Sequence, residues 1–366
     1  MPTTYNKLWD KVIDWENLHQ AYLSASKGKR FQREVLEFNS NLEENLINIQ
    51  NHLIWKSWTP GPFRSFMVYE PKQRHIQAPP FKDRVVHHAL VQVIEPLVEK
   101  KFIHHSYACR VGKGNHSSVL QLQNYLRSAK VKWNKTYVLK ADISKYFPSI
   151  KHDILVRILK RTIRDKDVLW LCESIIRHCG ENGQGIPVGA LTSQLFANVY
   201  LDQLDHFLKD NHGVKFYVRY MDDWVILARE KNSLVYILER AAQFLDINLG
   251  LKLNPKTSIF PASQGCDFCG YRVWPTHLLP RKRNVKRTKL KLRKLARLYY
   301  NGRVALEDVT PFVRSFLGYM KHCNGFKTTS FILNNFRLQR QRNGGRYGDT
   351  YWKILGDHQK DQSGLE

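Results

Sequence analysis

Apolar and polar positions follow two different periods along this chain, and the two periods predict different elements. Residues 5–56 carry apolar side chains at helical spacing and predict helices. Residues 59–84 contain five prolines, which favours two short strands, at 63–70 and 74–78. The helical period resumes at Asp83, whose side chain is of a type that commonly caps the start of a helix.

The middle of the chain alternates between strands and helices. The pattern predicts a buried strand within 136–150 and two further strands within 214–230. Helices are expected over 192–210, with one apolar face, and over 237–249. A short strand follows in CDFCGYRVWP. Strand, helix, hairpin, helix and strand in this order predict a ferredoxin-like α+β sheet.

The composition is that of a folded and strongly basic protein. Of the 366 residues, 43% are apolar and 12% are aromatic, which excludes a disordered chain. Lys and Arg number 58 against 32 Asp and Glu, a formal net charge of +26. An excess of this size favours a polyanionic partner, with nucleic acid first and an acidic membrane surface second.

Much of this charge lies near the C-terminus. Residues 281–303 contain eleven Lys or Arg and no acid, with leucines at helical spacing, and therefore predict a basic helix. No acid is present in this segment to pair with its cations, so we expect the helix to bind nucleic acid rather than to be a solvated face. Residues 308–338 predict a further helical unit, and the last thirty or so predict a loose tail.

Other features of the sequence exclude several classes of protein. No run of about 18 apolar residues occurs, so we expect no membrane span and no membrane partner. Six Cys are too sparse for a secreted disulfide scaffold. Cys266 and Cys269 form one CxxC pair without a second pair, which favours buried free thiols over zinc. The N-terminus lacks the pattern of a signal peptide, and we expect a cytoplasmic protein.

Three carboxylates lie where buried strands are expected to end. Asp142 follows one apolar strand, and Asp222 and Asp223 occupy the tip of the predicted hairpin. Clustered carboxylates repel each other and resist desolvation unless a counter-charge is present. Two Mg²⁺ ions, with Mn²⁺ as a substitute, would supply that charge and suit phosphoryl transfer. For an isolated Asp-Asp pair, a simple turn is the better interpretation.

These carboxylate segments resemble motifs of the reverse transcriptases. YMDD between apolar strands resembles the catalytic box of that family, and ADISKYFPSI resembles its first carboxylate motif. Further resemblances follow in the family's order over roughly residues 59–275, in EPKQRHIQAPPFKDRVVHHAL, YACRVGKGNHSSV, GIPVGALTSQLFANVYLDQLDHF, LGLKLNPKTSIF and FCGYRVWP. The resemblance implies a group II intron-like RNA-directed DNA polymerase that uses dNTPs, a template RNA and a cDNA primer.

The resemblance also implies an architecture, a right-hand polymerase with fingers, a ferredoxin-like palm and a helical thumb. Residues 1–115 would form N-terminal helices and fingers. Residues 116–278 would form the palm, with part of the fingers interleaved. Residues 279–340 would form the basic thumb, and 341–366 the C-terminal tail.

Roles for individual residues follow from the same resemblance. The metal ligands would be Asp142, the Ile143 carbonyl, Asp222 and Asp223. Lys256 would act as a further catalytic residue, near the leaving pyrophosphate. The incoming dNTP would contact Lys72, Arg74, Phe147, Val188, Gly189 and Gln194. The primer grip would be Phe268, Cys269, Gly270 and Tyr271. Cations along the nucleic-acid backbone would be Arg281, Lys282, Arg283, Lys286, Arg287, Lys289 and Arg293.

Two of these roles have a direct chemical reason. The planar fork of Arg74 suits bidentate binding of triphosphate oxygens, although a lone Arg is more often a solvated charge. The ring of Phe147 would pack beneath the sugar and reject a 2′-hydroxyl, a role compatible with ordinary core packing.

One turn departs from the common family pattern. Most relatives carry Pro-Gln-Gly there, followed by Ser-Pro, whereas this chain has Val188 for the Gln and Gln194 for the second Pro. This combination resembles reverse transcriptases of diversity-generating retroelements, which miscopy template adenines so that mutated cDNA replaces part of a target gene. Valine lacks the amide that would hydrogen-bond the nucleotide, and its absence can lower fidelity.

The subfamily resemblance implies a partner as well as an activity. We expect an accessory variability determinant, a small basic helical-bundle oligomer, and a template-repeat RNA used in mutagenic retrohoming. Two alternatives stay open at this point. One is a related bacterial enzyme of phage defence or group II intron mobility, and the other is a catalytically idle RNA-binding scaffold.

Overall fold

A computed structural model of the chain describes residues 4–69 and 73–340. The chain divides into two compact units, Met1–Gln264 and Gly265–Glu366. Lys72 and the predicted tail over 341–366 lie outside the described residues. The four-part division predicted from the sequence stays a prediction.

The first unit consists largely of helices packed around one sheet. Its helices in chain order are α1 (Trp9–Ile13), α2 (Trp15–Ser26), α3 (Arg33–Ser40), α4 (Leu42–Ile54), α5 (Phe81–Glu99), α6 (Asn115–Lys132), α7 (Tyr146–Ser149), α8 (His152–Lys160), α9 (Lys166–Arg177), α10 (Leu191–His206) and α11 (Lys231–Phe244). A π-helical turn extends α10 over Phe207–Asn211, and another extends α11 over Leu245–Leu249. One continuous core joins these helices, so the helical period seen over residues 5–56 marks their buried face.

A two-stranded hairpin precedes α5, as the sequence predicts. Strand β1 (Arg64–Val68) pairs antiparallel with β2 (Arg74–Ala78), with Val68 opposite Arg74. The β2 segment coincides with the predicted strand, and β1 is shorter than the predicted one. The residues of both strands are exposed or half-buried, as expected for a two-stranded hairpin that is not part of a larger sheet.

The start of α5 differs from the expectation. The helix begins at Phe81 with Pro80 as its N-cap, so Asp83 lies inside the first turn and is not the cap. The Asp83 side chain is fully buried, and its Oδ2 accepts a hydrogen bond from the Gly61 amide at 2.7 Å. The carboxylate therefore anchors the preceding loop instead of the helix end, a long-range contact that sequence spacing does not reveal.

A four-stranded antiparallel sheet forms the centre of the first unit. Its strands are β3 (Tyr137–Ala141), β4 (Tyr217–Tyr220), β5 (Asp223–Ala228) and β6 (Ser258–Pro261). The spatial order is β4-β5-β3-β6, with helices between β3 and β4 and between β5 and β6. This is the βαββαβ arrangement predicted from the sequence. Helices α6 and α11 pack against the sheet, and the four residues after Asp223 are all buried.

Helix α10 is buried more completely than its sequence pattern predicts. The pattern predicts one apolar face over 192–210, but most residues of the helix are buried, including the polar Thr192, Ser193 and Asn198. The helix packs against both α5 and α8, so little of its surface faces solvent. Small and polar residues on its sides give it a weak periodicity although it lies in the core.

The second unit combines a small sheet with helices. Strands β7 (Cys266–Phe268), β8 (Tyr271–Val273) and β9 (Leu278–Pro280) form an antiparallel meander. Helices α12 (Lys282–Tyr300), α13 (Leu306–Lys321) and α14 (Phe326–Asn334) follow. The predicted basic helix is therefore present as α12, and Leu292 on its apolar side joins a core with Val309 and Phe316 of α13.

Within residues 4–69 and 73–340, no helix is long and apolar enough to cross a bilayer.

Candidate active site

The hairpin between β4 and β5 places two carboxylates at its tip. Tyr220 and Asp223 pair across the hairpin, which leaves Met221 and Asp222 as a two-residue turn. Met221 has a φ of 55°, in the left-handed region that two-residue hairpin turns require and that side chains other than glycine rarely adopt. The turn therefore holds Met221, the residue before Asp222, in a backbone conformation that must be stabilised by its surroundings.

Strand pairing brings the third carboxylate to the same end of the sheet. Asp142 directly follows Ala141, and Ala141 lies opposite Trp224, the neighbour of Asp223. Burial raises the pKa of Asp223 to about 6; Lys140 opposes this shift, and the negative charges of Asp142 and Asp222 add to it. The three predicted carboxylates are therefore brought together, and their mutual repulsion reaches the Asp223 carboxyl group.

The two oxygens of Asp223 have different surroundings. Oδ2 lies 3.5 Å from the Lys140 ammonium, a half-buried ion pair between neighbouring strands. Oδ1 is buried and has no hydrogen-bond partner within residues 4–69 and 73–340. A buried carboxylate oxygen without a partner is costly unless a donor or a cation satisfies it. This oxygen therefore suits a hard cation.

Asn254 holds Asp142 in place and was not predicted from the sequence. Its side-chain Nδ2 donates to Asp142 Oδ2 at 3.1 Å, and its backbone amide donates to the Asp142 carbonyl at 2.7 Å. Its Oδ1 accepts from the amide of Lys256 at 3.0 Å, which shapes the turn that carries the exposed Lys256. Ile143 pairs with Leu253 just beside these contacts. The Asn254-Pro255 dipeptide is a turn signal, and it is the sequence feature that could have indicated a structural role for Asn254.

The donor set suits a hard divalent cation that takes further ligands from a bound phosphate group. In the described part of the chain, no three His, Cys, Asp or Glu side chains form a group that could hold a metal ion by themselves. Mg²⁺ is commonly bound by one or two carboxylates together with substrate phosphates, rather than by an all-protein cage. Asp142, Asp222 and Asp223 with the orphaned Asp223 Oδ1 are such a set.

The predicted nucleotide-binding turn is attached to the β1–β2 hairpin. The Gln77 amide on β2 donates to the Val188 carbonyl at 3.1 Å. Gly189 has a φ of +134°, and a Cβ there would lie 3.0 Å from both the Gln77 carbonyl oxygen and Ile76 Cγ2. Only glycine fits this close approach between turn and hairpin. The hairpin that carries Arg74 therefore lies directly on the turn that carries Val188 and Gly189.

The side chains around this turn are available to a ligand. Arg74 and Gln194 are exposed, and Val188 and Phe147 are half-buried. Phe147 packs edge-on against Tyr146, with ring centroids 5.6 Å apart, and its carbonyl accepts from the Ile186 amide at 3.1 Å. Phe147 is thus held by a backbone hydrogen bond to the segment just before Val188.

The predicted primer grip is a tight hairpin in the second unit. Phe268 pairs with Tyr271, and Cys269 and Gly270 form the turn with φ values of 43° and 93°. The Gly270 carbonyl accepts hydrogen bonds from the Tyr319 hydroxyl at 2.5 Å and from the Arg281 amide at 3.1 Å. The turn is therefore held by the helices that follow it. Phe268 is fully buried, so its side chain belongs to the core.

The cations of α12 divide into exposed and packed groups. The exposed members of the predicted set are Lys282, Arg283, Lys286 and Arg293. Arg281 lies 3.9 Å from an Asp267 oxygen, and the Lys289 ammonium lies 4.4 Å from the centroid of the Phe331 ring. Arg287 is half-buried. The exposed cations share one helical face, a stripe suited to a phosphate backbone.

The expectation that both thiols of the CxxC pair are buried holds for Cys266 but not fully for Cys269. Cys266 is buried and Cys269 is half-buried, because Cys269 lies in the hairpin turn rather than in a strand. Neither forms a disulfide with another cysteine of the described residues.

Comparison with known proteins identifies the family of this site. The family profile described as "Reverse transcriptase (RNA-dependent DNA polymerase)" matches residues 69–273, more than half of the chain. The chain belongs to the reverse transcriptase family. The predicted enzyme class, an RNA-directed DNA polymerase, and the predicted polymerase fold are confirmed at the level of this family.

Individual relatives are distant and mostly longer than the region they share. Protein YkfC of Escherichia coli is 25% identical over 278 residues, which cover 64% of this chain and 72% of YkfC. The group II intron-encoded protein LtrA of Lactococcus lactis is 23% identical, over 76% of this chain and 57% of LtrA. A telomerase structure from Candida albicans covers 79% of this chain and 58% of its own at 12% identity, with a TM-score of 0.47.

In this reverse transcriptase, the signals for Lys140 and Asn254 were present in the sequence but weak. Lys140 lies on β3, two residues before Asp142, which directly follows the strand. A lysine inside an apolar strand needs a partner, and the partner here is Asp223. Only the β3–β5 register identifies which carboxylate that is.

Proposed function

We propose that this reverse transcriptase makes error-prone cDNA from a template-repeat RNA in a diversity-generating retroelement. The observation that carries the polymerase function is the convergence of Asp142, Asp222 and Asp223 at one end of the central sheet. The retroelement assignment rests on the turn, where Val188 and Gln194 stand in place of the commoner Gln and Pro. The proposed setting is the cytoplasm of a bacterium, with the gene carried by the cell or by a phage.

In the proposed reaction, the primer 3′-hydroxyl attacks the α-phosphate of a dNTP and pyrophosphate leaves. Asp142, Asp222, Asp223 and the Ile143 carbonyl would hold Mg²⁺, for which Mn²⁺ can substitute. Two such ions would neutralise charge on the attacking and leaving oxygens. Arg74, together with Lys72, would bind the triphosphate, since a guanidinium binds phosphate oxygens bidentately.

Other residues would set the geometry and the proton balance. The half-buried ring of Phe147 would lie under the sugar and exclude a 2′-hydroxyl. Lys256, exposed on the turn shaped by Asn254, would give a proton to the leaving pyrophosphate. The Phe268–Tyr271 hairpin would hold the primer end, and the exposed cations of α12 would bind the duplex backbone.

Primer extension on an RNA template tests the polymerase function. The wild type should extend the primer with dNTPs, and an Asp222→Asn, Asp223→Asn variant should not, because the amides cannot supply the negative charge that a cation needs. An Asp246→Asn variant, which removes an exposed carboxylate from the same unit, is the control and should extend normally. An inactive wild type, or an active double variant, would refute the proposal.

Sequencing the cDNA tests the retroelement assignment. Errors should concentrate opposite template adenines, and Val188→Gln should lower their rate because the amide restores a hydrogen bond to the nucleotide. The control is Val131→Gln, the same change at an exposed position of α6. An error spectrum that ignores adenine, or one unchanged by Val188→Gln, would contradict the assignment.

A second candidate function, group II intron mobility, is favoured by the relatives. The intron-encoded protein LtrA aligns with 76% of this chain. In that case the cDNA would be accurate, and a template-repeat RNA would give no advantage over an unrelated RNA.

For the retroelement function, we propose an accessory variability determinant oligomer as partner. Adding this oligomer should raise the yield of full-length cDNA from the cognate RNA only.

A further inference from the structure

A fully buried arginine lies in the strand that leads into the YMDD turn. Arg219 belongs to β4, between Val218 and Tyr220, and its side chain has an exposed fraction of 0%. An arginine is almost never removed from water unless it is paired and hydrogen-bonded. Its neighbours must therefore compensate for the cost of removing this charge from water.

One side of the guanidinium is bound by a single carboxylate. Arg219 Nε donates to Asp205 Oδ1 at 2.7 Å, and Nη2 donates to Asp205 Oδ2 at 2.6 Å. Asp205 lies on α10 and is itself fully buried. The Tyr217 hydroxyl adds a third hydrogen bond, to Asp205 Oδ1 at 2.7 Å. This bidentate contact fixes the plane and the direction of the guanidinium.

The remaining nitrogen reaches the catalytic turn. Nη1 donates to the Met221 carbonyl at 3.0 Å and to Asn198 Oδ1 at 3.3 Å. Met221 is the left-handed residue of the turn, and its carbonyl belongs to the peptide that enters Asp222. The arginine therefore binds the peptide group that leads directly into Asp222.

The backbone of Arg219 is held as firmly as its side chain. Its amide donates to the His105 carbonyl at 3.0 Å, and its carbonyl accepts from the Tyr107 amide at 3.0 Å. Asn198 also donates to the Ala108 carbonyl at 2.8 Å. Helix α10, the segment 105–108 and the YMDD turn thus meet at one guanidinium.

We propose that Arg219, oriented by Asp205, is a positioning residue that holds the Met221–Asp222 peptide so that the Asp222 carboxylate faces the metal-binding end of the sheet. A buried ion pair by itself adds little to stability, since well-packed apolar residues often replace one without a stability cost. The contact of Arg219 with the Met221 carbonyl instead gives the ion pair a role in orienting the turn. This inference rests on the proposed polymerase function.

The test replaces the pair with apolar residues of similar size. In an Asp205→Leu, Arg219→Met variant, the charges leave together, so no unpaired charge stays buried. The control is Glu173→Gln, Arg177→Gln, which removes an ion pair between two side chains of α9, away from the segment 105–108. Because this second pair does not contact the turn, it should not affect the metal.

The decisive measurement is metal binding, with Mn²⁺ as the probe. Free Mn²⁺ is followed by electron paramagnetic resonance in the complex of full-length protein, dideoxy-terminated primer, RNA template and dNTP. The Kd for Mn²⁺ should rise about 10- to 100-fold in the Asp205→Leu, Arg219→Met variant, the range seen when groups that orient metal ligands are removed. The control pair should leave it unchanged, and thermal unfolding should show both variants folded.

A conservative variant covers the case in which the double variant does not fold. Arg219→Lys keeps a positive charge beside Asp205, but a lysine has no planar fork to bind Asp205 and the Met221 carbonyl together. It should also weaken Mn²⁺ binding. Wild-type Mn²⁺ affinity in either folded variant would overturn the inference. A wild type that binds Mn²⁺ but extends no primer would instead overturn the proposed function.

Discussion

At Gly189, the addition of a single methyl group should weaken dNTP binding while changing the maximal rate of primer extension much less. Its φ of +134° is unfavourable for any side chain, and an added Cβ would lie 3.0 Å from the Gln77 carbonyl oxygen. The substitution Gly189→Ala therefore strains the turn and pushes against the β1–β2 hairpin at the same time.

The magnitude follows from these two effects. A non-glycine residue in a sparsely populated backbone region costs about 1–3 kcal/mol. The crowding is relieved most easily if the hairpin moves away, which breaks the 3.1 Å hydrogen bond from Gln77 to Val188 and costs about 1 kcal/mol more. The sum is about 2–4 kcal/mol, and the hairpin that carries Arg74 would no longer lie over the turn.

The assay is steady-state primer extension at varied dNTP concentration. Since 1.4 kcal/mol is about tenfold in an equilibrium, we expect the KM for dNTP to rise tenfold or more. The maximal rate should change less, because the carboxylates at the end of the sheet are untouched. Equilibrium unfolding in urea should show the reduced stability of the same variant.

Gly114 supplies a matched control for this substitution. Its φ of +142° is nearly the same, but an added Cβ would have no heavy atom of the described residues within 4 Å. Gly114→Ala should therefore be destabilised through the backbone alone and keep the wild-type KM for dNTP. An equal rise of KM in both variants, or none in Gly189→Ala, would refute the reasoning.

Three further outcomes are expected. Asn254→Ala deletes the 3.1 Å hydrogen bond to Asp142, and the maximal rate of primer extension should fall about tenfold. Lys286→Gln with Arg293→Gln should reduce the slope of log affinity for duplex against log salt by about 0.9 for each phosphate that the protein no longer neutralises. Burial lowers the pKa of His87 to about 3, so the unfolded chain is protonated first as the pH falls below 6.5. The free energy of unfolding, from urea titrations, should therefore drop between pH 6.5 and 3, by at most about 5 kcal/mol from this group, and the drop should be smaller in His87→Gln.

The catalytic end of the sheet was predictable because its signals are local. Asp142 follows one apolar strand, and Asp222 and Asp223 lie between two more. The hydrophobic periodicity and the polar residues at the strand ends were therefore sufficient to predict the strands and the hairpin. The βαββαβ order followed from the order of the elements along the chain. That these carboxylates lie together depends only on which strands pair.

Other contacts could not be predicted, because they join residues far apart in sequence. Asp83 bonds to Gly61, Asn254 to Asp142, and Gln77 to Val188, and no periodicity encodes such pairs. The burial of α10 had the same origin, since two other helices cover its sides. Arg219, like Lys140, had a visible signal, because a charged residue within an apolar strand requires a partner.

The strand order β4-β5-β3-β6 also governs when the enzyme acquires its site during synthesis. Strand β3 leaves the ribosome first, but its partner β5 follows only after α7, α8, α9 and α10. Contacts between such distant segments form late and slowly. Until β5 pairs with β3, no strand pairing holds Asp142 close to Asp222 and Asp223. A nascent or truncated chain that ends before β5 therefore lacks the strand pairing that brings the three carboxylates together, however well its helices have formed.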